Sequence, residues 1–256
     1  MSRYLQFAFG IVAYAVFLGV FLYLIAFVGD LPVPRTVDDG PDAPLALALI
    51  VDIALIALFG LQHSVMARPG FKARLTRTVP EPAERSVYVM AANLVLILMF
   101  WLWQPIPAIV WDVESGWARV LLWAGFFAGW GIVFVSTWLL NHFELFGLHQ
   151  HWRNLRGQPA PTPVMREPLF YKWVRHPLYA GFILGFWSIP TMTAGHLLLA
   201  LGLTVYILIA IRYEERDLVA LLGPPYEDYR RRVGMLVPGL GRARAPMPPP
   251  GSPAAR

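Results

Sequence analysis

Apolar runs recur along this chain at lengths that suit a lipid bilayer. Residues 7–28, 45–66, 87–103 and 117–140 form four long runs, and 178–193 and 197–211 form two shorter ones. A helix needs about 20 residues to cross the hydrocarbon layer, and only a helix or a closed barrel satisfies its own backbone there. The long runs reach or approach that length. The short pair needs snorkelling ends, and Ala194-Gly195-His196 between them leaves room only for a tight turn. The pair therefore predicts a C-terminal helical hairpin. The expected fold is all-α: a polytopic membrane helix bundle of about six transmembrane helices. Composition agrees, with 57% of residues hydrophobic and 14% charged, against roughly 25% charged in soluble domains. A water-soluble core of this size would not hide so much apolar surface. The first run lacks a small-residue cleavage site and is expected to be a retained helix.

Charge placement sets the orientation. The net charge is +5 at pH 7, but the basic residues lie between apolar runs and not along one polar face, so no nucleic-acid partner is expected. Arg3 precedes the first run. Arg68, Lys72, Arg74, Arg77 and Arg85 follow the second, and Arg153, Arg156, Arg166, Lys172 and Arg175 follow the fourth. Arg212, Arg216, Arg230, Arg231, Arg232, Arg242, Arg244 and Arg256 follow the last, leaving Arg35 and Arg119 for the other side. That side carries Asp30, Asp38, Asp39, Asp42, Asp112 and Glu114. Basic loops stay in the cytoplasm, so both termini are expected there, in a bacterial cytoplasmic membrane. Six crossings satisfy the parity. Residues 1–240 read as a single membrane domain and 241–256 as a disordered Pro-rich tail.

The basic face also holds the polar residues able to do chemistry. In Arg175-His176-Pro177-Leu178-Tyr179-Ala180-Gly181, Pro177 suits the first turn of a helix. Arg175 and His176 then sit at its positive end, and Gly181 permits close approach by a neighbour or a ligand. An ordinary basic flank before a membrane helix explains the same residues. Glu214 and Glu215 follow the last run. Read as a helix exit, they oppose the macrodipole, and Arg212 stands three residues before Glu215, close enough to pair with it. A solvated helix end and a cation-binding role both fit. Asn141, His142 and Glu144 follow the fourth run among Phe143 and Phe146. His63 closes the second run beside Gln62 and Ser64, where helix–helix hydrogen bonding is the competing explanation. Asp52 lies deeper, with no assignable partner. The absence of cysteine excludes disulfides, thiolate metal ligands and a cysteine nucleophile. The six histidines form no HExxH, so no metal is expected and a haem site is poorly supported. No glycine-rich phosphate loop is present.

Together these residues make a recognisable pattern. Arg175-His176-Pro177-x-Tyr179-x-Gly181, then Glu214-Glu215, then Gly223-x-x-Tyr226-x-x-Tyr229 resembles the isoprenylcysteine carboxyl methyltransferase superfamily of membrane enzymes. Gln62 to Arg68 is similar to a stretch of NnrU-like membrane proteins. Asn141 to Leu148, Arg166-Glu167-Pro168-Leu169 and Thr191-Met192-Thr193-x-Gly195-His196 look like the bacterial methanethiol S-methyltransferases. The resemblance implies methyl transfer from S-adenosylmethionine to methanethiol, giving dimethyl sulfide, with the donor bound in residues of about 141–240. It implies donor contacts from Arg175, His176, Tyr179, Gly181, Glu214 and Glu215. His142 or Glu144, with Asn141, would orient or deprotonate the thiol, and His63 is a further candidate. The partners implied are a small volatile thiol and the lipid bilayer. Two competing readings are the same chemistry on another lipophilic thiol or a prenylcysteine carboxylate, and a non-enzymatic NnrU-like membrane protein.

Overall fold

The computed structural model describes residues 2–162 and 164–243. The Pro-rich tail expected from 241 lies outside the described residues from 244 onward. The chain is mostly helical: α1 (Arg3–Val28), α2 (Leu45–Ala67), α3 (Pro69–Leu75), α4 (Glu84–Leu102), α5 (Gly116–Leu139), α6 (His142–Leu145), α7 (Leu148–Arg156), α8 (Pro177–Trp187), α9 (Ala194–Leu222) and α10 (Pro224–Arg232). Five of these, α1, α2, α4, α5 and α9, are long and apolar enough to cross a membrane. Much of their surface is apolar and open: Ile11, Leu22, Ile50, Leu61, Trp101 and Val120 all face outward. Lipid supplies no hydrophobic drive between such helices, so close packing and hydrogen bonds must hold them together.

The sixth apolar run departs from expectation. Its helix, α8, stops at Trp187 after 11 residues. At 1.5 Å per residue it covers about half of a ~30 Å hydrocarbon layer. Residues Thr191–Thr193 then form strand β2, antiparallel to β1 (Ile109–Asp112). Ala194, Gly195 and His196 are not the expected tight turn but the first turn of α9. Thr193 caps that helix, its hydroxyl accepting from the His196 amide at 3.0 Å. The reversal thus falls earlier, in residues 188–193. Helix α9 continues past Ile211 to Leu222, which places Glu214 and Glu215 inside a helix and not at its exit. The macrodipole argument for those two acids therefore does not apply.

Three connections meet at the acidic end. The Val37 amide donates to the Phe27 carbonyl, the Trp103 indole to the Val37 carbonyl, and the Gly195 amide to the Ile106 carbonyl. The Thr193 hydroxyl donates to Asp38. Burial lifts the Asp38 carboxyl to about 6; Asp30 adds to the rise and the Thr193 hydroxyl opposes it. Asp52 is fully buried and accepts from the Gln104 amide at 2.9 Å, tying α2 to the end of α4. That is the partner the sequence left unassigned. Phe27, Met99, Trp103, Phe126, Met192 and Leu199 pack beneath these loops.

Helices α5 and α8 lie in backbone contact. A Cβ on Gly181 would stand 2.7 Å from the Gly129 carbonyl oxygen, and one on Gly185 would stand 3.2 Å from the Trp130 indole nitrogen. The close approach that Gly181 permits is therefore the approach of α5.

Candidate active site at the basic end

The segment before α8 is joined to the segment after α10. Val174 bridges Gly234 in parallel, and the Arg175 and His176 amides donate to the carbonyls of Gly234 (2.8 Å) and Met235 (3.1 Å). Pro177 stands at N1 of α8, as its sequence position required. This pairing buries Arg175 to 4% exposure. Its Nε donates to Glu215 Oε1 at 2.7 Å, one Nη to the Arg230 and Val233 carbonyls, and the other to the Gly241 carbonyl at 3.1 Å. The Arg230 and Val233 carbonyls belong to the end of α10, where the helix dipole favours a cation. Arg175 thereby makes four hydrogen bonds within the protein itself.

Glu215 is equally committed. It meets Arg175, His176 Nε2 at 3.1 Å and Arg230 Nε at 3.1 Å. Arg212, expected to pair with it, is replaced in that role by Arg175 and Arg230. Glu214, about 100° round the helix, has a different setting. Its side chain is 43% exposed, it accepts from the Tyr179 hydroxyl at 2.8 Å, and His176 Nδ1 stands 3.9 Å away. The His176 and Tyr179 rings lie 5.6 Å apart. Beyond them, the Tyr229 hydroxyl donates to the Tyr171 carbonyl, and Tyr226 packs against Tyr229. Burial pushes the phenols of Tyr171, Tyr226 and Tyr229 upward, so they remain neutral donors. Arg175, His176, Tyr179, Glu214 and Glu215 thus meet in one cluster, from two separate parts of the chain. Arg230 joins them. Its position in an Arg-rich run gave no sign that it, and not Arg231 or Arg232, would turn inward.

Asn141, His142 and Glu144 form a second group. Asn141 takes a left-handed backbone (φ 70°) at the break between α5 and α6. His142 stacks on Trp138 at 4.7 Å, and both ring nitrogens are engaged, Nε2 with the Tyr14 hydroxyl and Nδ1 with the Thr137 hydroxyl, each at 2.8 Å. Burial lowers its pKa. Glu144 forms a two-pronged pair with Arg153. These contacts join residues 141–156 to α1, and no contact among the described residues joins them to Glu214 or Glu215.

His63 lies elsewhere again, against Tyr88 of α4 and Tyr206 of α9. The Glu214 carboxylate is within electrostatic range of the Tyr88, Tyr179 and Tyr206 hydroxyls. Tyr88 and Tyr206 were not singled out from the sequence. The available signal was a phenol in each of two otherwise apolar runs. Among the described residues, no group of three or more histidine, aspartate or glutamate side chains is placed to hold a metal ion.

Comparison with known proteins follows the same lines. The family model described as NnrU protein matches residues 51–238. The chain is 52% identical over 238 residues to the methanethiol S-methyltransferase of Mycobacterium tuberculosis, covering 93% of this chain and 98% of that one. It is 51% identical to methanethiol S-methyltransferase 1 of Bradyrhizobium diazoefficiens, over 92% of this chain and 83% of that one. Nurim of Sus scrofa is 29% identical over 185 residues, 69% of this chain and 70% of that one. No solved structure matches.

Proposed function

The chain belongs to the NnrU family, and from that membership we propose that it is an S-adenosylmethionine-dependent methyltransferase that converts methanethiol to dimethyl sulfide. The observation that carries this reading is the 52% identity to a methanethiol S-methyltransferase over nearly the whole of both chains. The geometry supports it with an acid, cations and aromatic rings gathered at one end of a membrane bundle.

The reaction is an in-line displacement at the methyl carbon. The donor sulfonium is already activated, so a cysteine-free chain needs no covalent nucleophile of its own. The protein must align the acceptor sulfur, the methyl carbon and the leaving sulfur, and exclude water. Glu214 takes the donor's α-ammonium, because it is open to solvent on one side and anchored by Tyr179 on the other. Arg230, 32% exposed, is better placed than the buried Arg175 to meet the donor's carboxylate. His176, Tyr179 and Tyr226 offer ring faces to the adenosyl part. Arg175 and Glu215 hold α8, α9 and α10 in register, and Gly181 lets α5 approach α8. Asn141, His142 and Glu144 hold residues 141–156 on α1. No step requires a metal.

In this reading α8 is the short sixth crossing, paired with α9 as the hairpin. The basic end and both termini face the cytoplasm of a bacterial cytoplasmic membrane. The donor arrives from the cytoplasm, and the small apolar thiol arrives through the bilayer. The test is donor binding by calorimetry on purified protein, together with headspace dimethyl sulfide from cells expressing the chain and supplied with methanethiol. Donor binding and dimethyl sulfide formation are expected. Methylation of longer thiols or a prenylcysteine analogue, with methanethiol left untouched, would move the activity to another acceptor. Absence of donor binding would favour a non-enzymatic membrane protein.

A further inference from the structure

Helix α2 places Phe59 and His63 four residues apart, on one face, with ring centroids 5.2 Å apart. Tyr88 of α4 stands 5.0 Å from the His63 ring, and Tyr206 of α9 stands edge-on to it at 6.2 Å. Gly60 makes room for Tyr206, since a Cβ there would lie 3.1 Å from its ring. One outer polar atom of this ring cluster has a partner: the Tyr88 hydroxyl points to the His63 carbonyl at 3.4 Å. His63 Nδ1 is buried with no hydrogen-bond partner among the described residues. His142, His151, His176 and His196 each engage at least one ring nitrogen, whereas neither nitrogen of His63 does so among the described residues. Buried polar atoms are ordinarily satisfied, and one that is not asks for a partner from outside the chain. The charged and titratable groups facing the ring are Tyr88 and Arg85 from α4 and Tyr206 from α9, with Glu214 beyond the two phenols.

We propose that His63, Tyr88, Tyr206 and Phe59 form the acceptor cage, and that His63 Nδ1 takes the proton of the bound thiol. The cage rests on the reading of Tyr179 and Glu214 as the donor side of the site. An alkyl thiol is mostly protonated at neutral pH, while its thiolate is the nucleophile, so a positioned base accelerates transfer. The methanethiol S–H bond breaks and its proton passes to Nδ1. The freed electron pair of sulfur forms the new bond to the methyl carbon. The bond from that carbon to the donor sulfonium breaks, and its electron pair stays on the donor sulfur. The products are dimethyl sulfide, S-adenosylhomocysteine and a protonated His63, which returns its proton to solvent.

The experiment compares methanethiol with methaneselenol, which is already ionised at neutral pH and needs no base. In His63→Gln, kcat for methanethiol is expected to fall about 100-fold, kcat for methaneselenol to stay close to wild type, and donor affinity by calorimetry to be retained. Equal losses with both acceptors, or no loss with either, would overturn the proposal. Should the variant lose donor binding, the wild type decides. Its kcat/KM for methanethiol should show an ionisation limb that methaneselenol lacks, and identical profiles would overturn the cage. Failure of the wild type to bind the donor overturns the donor-site reading itself, a result the calorimetry separates from any outcome at His63.

Discussion

Two adjacent glutamates divide the labour of the site. Glu215 is buried between Arg175 and His176, while Glu214 keeps an open side. Removing one partner of a buried pair strands the other, at a cost of about 3–5 kcal/mol. Glu215→Gln is therefore expected to lower stability markedly, read as a drop in melting temperature in detergent. Glu214→Gln should leave melting nearly unchanged. Its effect belongs to binding: losing one charged hydrogen bond, worth roughly 1.5–3 kcal/mol, weakens donor affinity by about 10–100-fold, measurable by calorimetry. A melting curve unaffected by Glu215→Gln would contradict the role given to that pair. The sequence brought both glutamates forward but did not separate them. Arg175 lies 40 positions from Glu215, and Arg212 looked the nearer partner. His142 shows the converse. The family resemblance made it a candidate for handling the thiol, yet Tyr14 and Thr137 occupy both nitrogens, and Tyr14 lies 128 positions away.

Among the elements, α8 matters most, because it carries Tyr179 and starts directly after His176 while being too short to span alone. Its place depends on α5. A Cβ at Gly129 would lie 2.5 Å from the Gly185 amide and 2.7 Å from the Gly181 carbonyl. Both neighbours are backbone, so they cannot swing aside. Gly129→Val should force the two helices apart, costing about 1–3 kcal/mol as overpacking does, and should weaken donor binding with it. Gly131→Ala is the control, since nothing lies within 4 Å of its added Cβ. Equal behaviour of the two variants in melting would argue against glycine-mediated docking of α8. Hydropathy reveals that 178–193 is apolar but not where its helix ends. Pairing of Thr191–Thr193 with a strand about 80 residues earlier draws the chain out of helix after Trp187, and that partner is invisible to any local window.

For the whole molecule, the separation of charge is the governing feature. The connections carrying Asp30, Asp38, Asp39 and Asp112 converge at one end, and the Arg175–Glu215–Arg230 cluster lies with the basic segments. Reporter fusions before Arg3 and after residue 243 should both read as cytoplasmic, and one inserted near Asp42 as external. A split result for the two termini would remove a crossing from the proposed topology. Length and apolar runs were enough by themselves to mark the chain as one with several helices able to cross a membrane, and the placement of arginine and lysine set an expectation for how its loops sort. Those properties are sums over neighbouring residues, and the bilayer responds to them segment by segment. Tertiary structure alone decided which groups meet: Arg175 with Glu215, His142 with Tyr14, His63 with Tyr88 and Tyr206. Such pairings depend on which helices touch and how each is rotated about its axis. Inside a membrane that is settled by glycine contacts and hydrogen bonds between distant parts of the chain, which no count of nearby residues contains.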